Sequence, residues 1–292
     1  MKRLLPGVLL LQSGLAAAVG LPATIDPRAL GRPSFMEDFR TFDYGVDQLR
    51  SARPHRWRVV SGSGGPFSPS NRSMSGSSVA VDPGFAGVQG GRAGPRPLGI
   101  NPFEWRPGGP LVIKAIRTPP ALLPWVWNKP YISGQAMTKF SFSQRFGYFE
   151  IEAILPKGKG LWPAFWMLPM AGQWPKNGEL DIFESLGDPR VIYCTVISST
   201  QKKVQKKVVL PFDASAGYHR YGAAYDRDEI VWYVDRREVM RTATPADMKT
   251  QPMFLRMNLA VGGAWGGQPD ANTVFPARYT IRRVSAWTLP GG

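Results

Sequence analysis

The run Gly178-Glu-Leu-Asp-Ile-Phe-Glu184 contains three carboxylates within six residues, separated by apolar side chains. Side chains alternate between the two faces of a β-strand, so Glu179 and Asp181 share one face while the apolar residues between them point toward a core. Strict alternation would bury Glu184, and an unpaired buried carboxylate costs free energy. A β-bulge, which inserts one extra residue into a strand, returns Glu184 to the face of the other two acids. The run therefore predicts a strand with a bulge at Ile182-Phe183.

Strand patterns continue on both sides of this run. The segment Tyr148-Phe-Glu-Ile-Glu-Ala-Ile-Leu155 alternates, so that Glu150 and Glu152 lie on the face opposite its apolar residues. A tight hairpin is expected at Val234-Asp-Arg-Arg-Glu-Val239. Many short strands, without a long helical period or an internal repeat, favour an all-β sandwich or jelly roll. Further strands are predicted at Val79–Val81, Leu111–Ile116, Leu161–Leu168, Val191–Ser198, Lys206–Leu210, Tyr221–Tyr225, Glu229–Val234, Glu238–Thr242, Met253–Ala260 and Ala277–Thr288.

The organisation of the chain fits one large domain preceded by a short export segment. The 292 residues, of which 43% are hydrophobic, suffice for one large all-β domain. We expect residues 34–292 to form a single sandwich, residues 24–33 to form a linker, and residues 61–98, rich in Gly, Ser and Pro, to form loops. A disordered connection between two domains is the alternative for residues 61–98, but residues 34–57 are too few for an independent domain.

Residues 1–23 have the features of a signal peptide. Lys2 and Arg3 supply positive charge, residues 8–21 are mostly apolar, and residues 16–18 are alanines suited to cleavage. The apolar run is too short to span a membrane comfortably, and a retained anchor or a lipid-surface helix is the alternative. We therefore expect a secreted or periplasmic protein without stable membrane association after cleavage.

The chain carries a formal net charge of +15. Such a charge favours an anionic partner, such as nucleic acid, an anionic membrane surface or an acidic polysaccharide, or else it serves solubility alone. No nucleic-acid-binding motif is present, so we expect no nucleic-acid partner. The single cysteine, Cys194, lies in an apolar run and is expected to be a buried structural thiol. With two histidines and no Cys/His cluster we predict no metal site, and nothing indicates a cofactor.

Three acids on one strand face are unexpected for stability alone, because acidic residues are depleted in strands and like charges repel. Repulsion raises the pKa of at least one of them. Glycoside hydrolysis needs such a set, with one protonated carboxyl and one ionised carboxylate near neutral pH. A solvated acidic face or a calcium site is the alternative for Glu179, Asp181 and Glu184 taken alone.

Tryptophans close to these acids favour a sugar-binding surface. Trp166 shares a predicted strand face with Trp162, and Trp174 precedes Glu179 by five residues. A sugar ring packs its C–H face on an aromatic ring while its hydroxyls bond to carboxylates. Core packing is the alternative for any single tryptophan, but two tryptophans beside the acids favour contact with a sugar.

Six sequence blocks lie at Tyr131–Gly134, Phe146–Glu150, Leu155–Pro169, Gly178–Gly187, Ile230–Asp235 and Asn258–Trp265. Together they resemble glycoside hydrolase family 16, in its laminarinase-like branch with the bulged motif, and the resemblance covers residues 34–288. The sequence is also similar to bacterial enzymes that trim acidic exopolysaccharides. The resemblance implies a β-jelly-roll sandwich of two antiparallel sheets, with an open substrate cleft on the concave sheet and retention of anomeric configuration.

The same resemblance implies roles for eight side chains. Glu179 matches the nucleophile and Glu184 the general acid/base, with Asp181 between them as a group that tunes the pair. The positions that match residues lining the sugar subsites are Glu150, Trp166, Trp174, Asn258 and Trp265.

Three residues depart from the family pattern. Glu152 stands where arginine is common, and we expect it to add a fourth acid to the cleft face. Ile197 stands where a histidine often contacts the sugar or the acid/base. Arg282 stands at the position of an aspartate that often binds structural calcium, so no calcium site is expected. The first two departures leave the substrate open and the catalytic trio intact.

The sequence thus favours a retaining endo-β-glycanase, a glycosidase that hydrolyses β-1,3 or β-1,4 glucosidic bonds in a β-glucan or an acidic exopolysaccharide. A transglycosylase on the same scaffold and a glycan-binding protein without turnover are the alternatives. Both glutamates are present, which disfavours the binding protein. We expect a polysaccharide as the partner and a monomer as the oligomeric state.

Overall fold

The computed structural model describes residues 20–46, 55–60 and 76–290, which form two large β-sheets packed face to face. Residues 1–19 of the predicted signal and residues 61–75 of the predicted loop region lie outside the described residues. No helix in the described part of the chain is long and apolar enough to cross a membrane. Among the described residues, two short 3-10 helices, at Pro120–Trp125 and Ala246–Lys249, join strands.

The strands of the described residues are β1 (Phe35–Glu37), β2 (Tyr44–Gly45), β3 (Trp57–Arg58), β4 (Ser78–Ala80), β5 (Val88–Gln89), β6 (Arg92–Ala93), β7 (Phe103–Glu104), β8 (Leu111–Arg117), β9 (Tyr131–Ser133), β10 (Gln135–Met137), β11 (Gly147–Ile154), β12 (Leu161–Pro169), β13 (Glu179–Glu184), β14 (Val191–Ile197), β15 (Val204–Val209), β16 (His219–Tyr225), β17 (Glu229–Val234), β18 (Arg237–Ala243), β19 (Met253–Val261) and β20 (Ala277–Trp287).

Most strands of the described residues divide between an outer sheet and a cleft sheet, while β5 and β6 pair in a separate two-stranded sheet. The outer sheet follows the order β18-β17-β16-β11-β20-β8-β9-β4, with β1 beside β20 and β7 beside β8. The cleft sheet follows the order β15-β14-β13-β12-β19-β10-β3-β2. The pairs at the centre of both sheets are antiparallel, as the sequence predicted.

The core fills the space between the two sheets and follows from strand alternation. Phe149 and Ile151 of β11 point inward from the outer sheet, and Phe165 and Met167 of β12 point inward from the cleft sheet; all four are fully buried. Each such side chain contributes roughly 1.5–3 kcal/mol through burial of apolar surface. The residues that alternate with these inward-pointing side chains lie on the opposite face of each strand. On β12 they include Trp162 and Trp166, which are therefore available to a cleft.

The predicted strands are confirmed within a few residues at their ends. The hairpin between β17 and β18 is also confirmed: Asp235 and Arg236 have φ angles of 46° and 67°, the paired positive values of a tight two-residue turn. The sequence pattern missed β9 and β10, which are three residues each and too short to show a period.

Residues 24–33 were predicted to form a linker. The first residues of this segment pack on the face of the outer sheet that points away from the main core. Thr24 forms a β-bridge with Arg237, and Ile25 is buried. Leu21, inside the predicted signal segment, is buried in the same small apolar cluster with Tyr148. The physical reason is that the outer sheet exposes apolar rings on this face, and the segment covers them.

Candidate active site

Strand β13 lies inside the cleft sheet, between β12 and β14, and it contains the predicted bulge. Phe165 of β12 lies opposite Phe183, whereas the next residue, Trp166, lies opposite Asp181. Ile182 is therefore the extra residue, and the pairing with β14 shifts at the same place. Ile182 and Phe183 are both buried in the core, so the bulge at Ile182-Phe183 is confirmed.

The bulge takes backbone carbonyls out of the strand ladder, and buried carbonyls need hydrogen-bond donors. The indole Nε1–H of Trp232 crosses the core from β17 and donates to the carbonyl of Asp181 at 2.8 Å. The thiol of Cys194 donates to the carbonyl of Ile182 at 3.7 Å. Burial raises the pKa of the Cys194 thiol, which keeps its proton in place. Cys194 is thus the buried structural thiol that the sequence predicted.

The entry into β13 requires a glycine. Gly178 has a φ of +82°, and a Cβ atom there would lie 2.2 Å from Cγ of Met248. The 3-10 helix that carries Met248 is fixed by Asp247, whose carboxylate accepts hydrogen bonds from Ser198 Oγ at 2.7 Å and Ser199 N at 3.0 Å. The start of the carboxylate strand is therefore held by close packing against a well-bonded turn.

A cavity of about 610 Å³ lies over the outward face of β13 and its neighbours. Alternation on β12 and β19 brings their outward residues to the same surface, in the register Ala164 opposite Asn258 and Trp166 opposite Arg256. The predicted site residues that line this cavity are Glu179, Asp181, Glu184, Trp166, Trp174 and Asn258.

Tryptophan N–H groups fix the orientation of two of the carboxylates. Trp174, which is 64% exposed, donates from Nε1 to Oε2 of Glu179 at 2.8 Å. Trp162 donates from Nε1 to Oε1 of Glu184 at 3.0 Å. Each carboxylate keeps its other oxygen for a bound molecule, because an indole supplies a single donor. Strand alternation predicted the correct face for Trp162, but Trp162 was not predicted as a site residue.

A third indole organises the wall of the cavity. Trp166 donates from Nε1 to Oδ1 of Asn258 at 2.8 Å, and the guanidinium carbon of Arg256 lies 4.3 Å from the centre of the Trp166 ring. Arg256 also donates from Nη2 to Oε1 of Gln135 at 2.9 Å. Neither Gln135 nor Arg256 was predicted, since no spacing rule links residues so distant in sequence.

The three carboxyl groups share a low-dielectric site, and burial raises the pKa of each of them. Burial, assisted by the charge of Glu179, raises the pKa of Glu184 to about 7, against the opposing hydrogen bond from Trp162. Burial raises the pKa of Glu179 as well, but the Trp174 N–H and the Arg256 charge oppose that rise. Near neutral pH, this arrangement favours an ionised Glu179 beside a Glu184 that holds its proton part of the time.

Asp181, between them, is the most deeply buried of the three. Burial, followed by the charges of Glu184 and Glu179, raises the pKa of Asp181 well above its usual value. A protonated Asp181 adds no third negative charge to the cavity and can donate a hydrogen bond.

The aromatic cluster beside Glu184 includes the predicted residue Trp265, which lies next to the cavity rather than in it. The rings of Trp162 and Tyr193 pack edge-on to Trp265, with ring centres at 5.2 and 4.9 Å. The ammonium of Lys203 lies 5.6 Å from the centre of the Trp265 ring. On the opposite flank, Ile197 pairs directly with Glu179, so this departure from the family pattern does lie beside a carboxylate.

The placement of Glu150 and Glu152 in the cleft was wrong. Both lie on β11 of the outer sheet, on the face that points away from the core and away from the cavity. Glu150 is buried against Arg236, with Nε–Oε2 at 2.9 Å, and accepts a hydrogen bond from the Tyr148 hydroxyl at 2.7 Å. Strand alternation correctly gave their shared face, but it cannot tell which sheet of a sandwich a strand joins.

Arg282 stands at the position where the family often has a calcium-binding aspartate. In this structure its side chain forms an ion pair with Glu152 of the outer sheet. Its Nη1 lies 2.9 Å from Oε1 of Glu152, and Arg220 lies 3.3 Å from the same oxygen. Two of the three departures from the family pattern, Glu152 and Arg282, therefore meet in one ion-pair network. Within the described residues, no group of three or more His, Cys, Asp or Glu side chains is arranged to hold a metal ion.

Comparison with known proteins agrees with this geometry. The pattern described as "Glycosyl hydrolases family 16" matches residues 124–282, which include every residue of the cavity on β12, β13 and β19. The chain belongs to glycosyl hydrolase family 16. The expected β-jelly-roll sandwich is likewise confirmed, since the laminarinase catalytic domain of Thermotoga maritima MSB8 superposes with a TM-score of 0.67 at 27% identity, over 88% of this chain and 98% of that one.

Two curated relatives share sequence with part of the chain. The endo-1,3-1,4-beta-glycanase ExsH of Rhizobium meliloti is 40% identical over 194 residues, which are 65% of this chain and 40% of that protein. The beta-glucanase of Rhodothermus marinus is 36% identical over 206 residues, covering 62% of this chain and 69% of that protein. The chain thus spans well under half the length of the Rhizobium relative that it matches.

Proposed function

We propose that this family 16 protein is a retaining endo-β-glycanase that hydrolyses β-1,3 or β-1,4 glucosidic bonds within a polysaccharide. The observation that carries the proposal is the set of three carboxyl groups on the bulged strand β13, gathered in one cavity with Trp166 and Trp174. The tryptophan faces supply apolar surface for sugar rings, and the carboxyl groups supply the acid and base of the reaction.

In the first step, the ionised Glu179 attacks the anomeric carbon. Glu184 donates its proton to the glycosidic oxygen, so the bond between that oxygen and the anomeric carbon breaks and the departing sugar leaves with a hydroxyl group. The products of this step are a glycosyl ester on Glu179 and an ionised Glu184. The hydrogen bond from Trp174 to Oε2 of Glu179 leaves Oε1 for the attack.

In the second step, Glu184 accepts a proton from water, and the resulting nucleophile attacks the anomeric carbon. The ester bond to Glu179 breaks, and both carboxyl groups return to their starting states with net retention of configuration. A protonated Asp181 limits repulsion between the flanking glutamates, because only one of the three groups needs to be charged in the resting site.

The curated relatives support the substrate class. The Rhizobium meliloti relative is an endo-1,3-1,4-beta-glycanase and the Rhodothermus marinus relative is a beta-glucanase, and their matches cover 65% and 62% of this chain. The open cavity on the sheet face, as opposed to a closed pocket for a chain end, is suited to cleavage within a polymer. We therefore propose a β-glucan backbone as the substrate, with a polysaccharide as the partner.

The test is hydrolysis of a panel of mixed-linkage, β-1,3 and β-1,4 glucans, followed by new reducing ends and by NMR of the first anomer released. The proposal expects internal cleavage and initial release of the β-anomer. Glu179→Gln should lose at least about 1,000-fold in kcat, since it removes the nucleophile. A matched control, Glu104→Gln on the outer sheet, should retain parental activity. Transfer products without net reducing ends would identify a transglycosylase, and binding without any product would identify a glycan-binding protein; either would contradict the proposal.

We further propose that the protein is exported, on the strength of the charged start and apolar run of residues 1–23. Fractionation of cells expressing the whole chain, with mass spectrometry of the product, tests this. Full-length protein confined to the cytoplasm would contradict it.

A further inference from the structure

A short strap of chain, residues 21–25, lies on the face of the outer sheet that points away from the main core. Leu21 and Ile25 of the strap are 8% and 5% exposed, and both are buried in one apolar cluster. The rings that the outer sheet contributes to this cluster are Tyr148, Tyr233 and Trp287. The strap thus covers aromatic surface that water would otherwise reach, and burial of such surface stabilises a fold.

Backbone hydrogen bonds attach the strap to the hairpin of β17 and β18. The bonds run from Ile25 N to the Arg236 carbonyl at 3.0 Å, from Glu238 N to the Ala23 carbonyl at 2.8 Å, and from the Tyr233 hydroxyl to the Pro22 carbonyl at 2.6 Å. Strap carbonyls that are partly buried therefore have donors, as they would in a short edge strand. The strap is part of the folded domain by both its side chains and its backbone.

The first residue of the strap is anchored at a charged site. The N–H of Leu21 donates to a carboxylate oxygen of Glu229, and Arg241 donates from Nη2 to the Leu21 carbonyl at 2.7 Å. The guanidinium of Arg241 also forms ion pairs with Glu229 at 2.6 Å and with Glu238 at 2.8 Å. Two carboxylates share one guanidinium, so this trio is negative in a chain whose formal net charge is +15.

Gly20 lies directly against this charged site. A Cβ atom at Gly20 would lie 2.9 Å from Oε1 of Glu229, so the backbone approaches the carboxylate closely. The cavity beside Gly20 is lined by further charged side chains, three carboxylates and two guanidiniums: Asp26, Asp226, Asp228, Arg145 and Arg227. The surroundings of Gly20 are negative on balance, which favours a positive group there, such as the amino terminus of a chain.

The strap overlaps the segment that the sequence predicted to be removed on export. Residues 1–23 were predicted to form the signal peptide, yet Leu21, Pro22 and Ala23 belong to the strap. Removal of all 23 residues would take Leu21 out of the apolar cluster and break the bonds at its end. The sequence offers an earlier bond, because alanines occupy the first and third positions before the bond from Ala18 to Val19.

We propose that the exported chain is cut between Ala18 and Val19, and that the strap stays in the mature fold. This processing site rests on the proposed export. A signal peptidase hydrolyses one peptide bond, so that water adds across it and leaves a carboxylate on Ala18 and an α-ammonium on Val19. The new positive charge is then one residue before Gly20 and its negative surroundings, and no residue of the strap is lost.

The first experiment expresses the whole chain in a secreting bacterium and determines the first residue of the released protein by N-terminal sequencing and intact mass. A product that begins at Val19 supports the proposal. An exported product with any other first residue overturns the site and leaves the export proposal standing. A full-length chain that stays in the cytoplasm overturns both.

Two matched variants of the whole chain test the bond itself. Ala18→Leu puts a bulky side chain directly before the cut, so the processed fraction should fall at least about 10-fold, because cleavage requires small residues there. Ala17→Leu adds the same side chain at the intervening position, where size is not restricted, and should be processed like the parent. Parental processing of Ala18→Leu, or an equal loss in both variants, would overturn the assignment of this bond.

A third variant tests the strap in the purified protein, whatever its first residue. Leu21→Ala removes a buried side chain from the apolar cluster and should lower Tm by roughly 4–10 °C. The control is Val274→Ala, an apolar truncation at a residue that is 75% exposed, which should leave Tm within about 1 °C of the parent. An unchanged Tm in Leu21→Ala would show that the fold does not depend on the strap, and would overturn its retention as a structural element.

Discussion

The contact between Trp232 and the bulge offers the sharpest test of how the two sheets cooperate. The indole Nε1–H of Trp232 reaches from the outer sheet, through the core, to the carbonyl of Asp181 at 2.8 Å. Trp232→Phe keeps an aromatic ring in the core but removes this donor. The carbonyl that the bulge took out of the strand ladder is then buried without its partner.

The magnitude follows from two physical contributions. A buried acceptor without its hydrogen bond costs roughly 1–3 kcal/mol. The smaller ring leaves unfilled space in a fully buried position, which adds about 1 kcal/mol. The free energy of unfolding should therefore fall by about 2–4 kcal/mol, and Tm by roughly 5–15 °C for a domain of this size.

At the assay temperature, the loss of activity in Trp232→Phe should be larger than the small unfolded fraction can explain. The bulge determines where Glu184 stands relative to Glu179, and a displacement of about 1 Å in a catalytic group can reduce the rate about 100-fold. We expect kcat on β-glucan to fall roughly 10- to 100-fold at 25 °C, with KM changed little, because the tryptophans that line the cavity are untouched. Calorimetry and initial-rate kinetics on the same preparation give both quantities.

Trp57→Phe is the matched control, because Trp57 is also fully buried and donates from Nε1 to a side chain, Oε2 of Glu37, at 2.9 Å. It should lose comparable stability and keep its kcat. Parental kcat in folded Trp232→Phe would refute the argument that this hydrogen bond positions the bulge. An equal loss of kcat in both variants would show a general effect of loosening the core.

Four further outcomes are expected. The rate constant kcat/KM should fall as the pH rises through about 7, because Glu184 then loses the proton that it must donate; a constant rate up to pH 9 would refute this assignment. The folded state raises the pKa of Glu184 from 4.5 to about 7, so ionisation of Glu184 destabilises the fold as the pH rises from about 4.5 to about 7. Glu184→Gln removes this charge, so the free energy of unfolding of the variant should exceed that of the parent by ~1–3 kcal/mol at pH 8 and by almost nothing at pH 4. Thermal unfolding at both pH values measures this difference. Trp174→Phe removes a donor that opposes the rise in the pKa of Glu179, so the acid limb of the pH–rate profile should move to higher pH. Glu152→Gln should lower Tm, because it weakens the ion pairs with Arg282 on the outer sheet, while kcat and KM stay near parental values.

The local structure of the carboxylate strand was predictable because it follows from alternation and from the cost of burying charge. Glu179 and Asp181 had to share a face, and a buried Glu184 without a partner was too costly, so an extra residue was required. The structure places that residue at Ile182. The positions of most strands were predictable for the same reason, since a two-residue period is a local property of the chain.

The contacts that surround the strand were not predictable from local pattern. The donor to the Asp181 carbonyl comes from Trp232, 51 residues later in the chain, and the guanidinium that stacks on Trp166 comes from Arg256 on β19, 90 residues after Trp166. Short strands such as β10 carry too few residues to show a period, although β10 lies between Arg58 and Arg256. Such contacts depend on which strands become neighbours in the sheet.

The sequence by itself determined that three acids share one face of a bulged strand, with an indole ring close by, because these relations are set by side-chain period and by desolvation. The tertiary structure alone decided which other groups meet that face. It placed Glu150 and Glu152 on the outer sheet, among arginines. It brought Trp162 and Gln135 to the cavity, with Arg256 packed against Trp166. The physical reason is that alternation specifies a face, whereas the sheet to which that face belongs is fixed by strand pairing between distant segments.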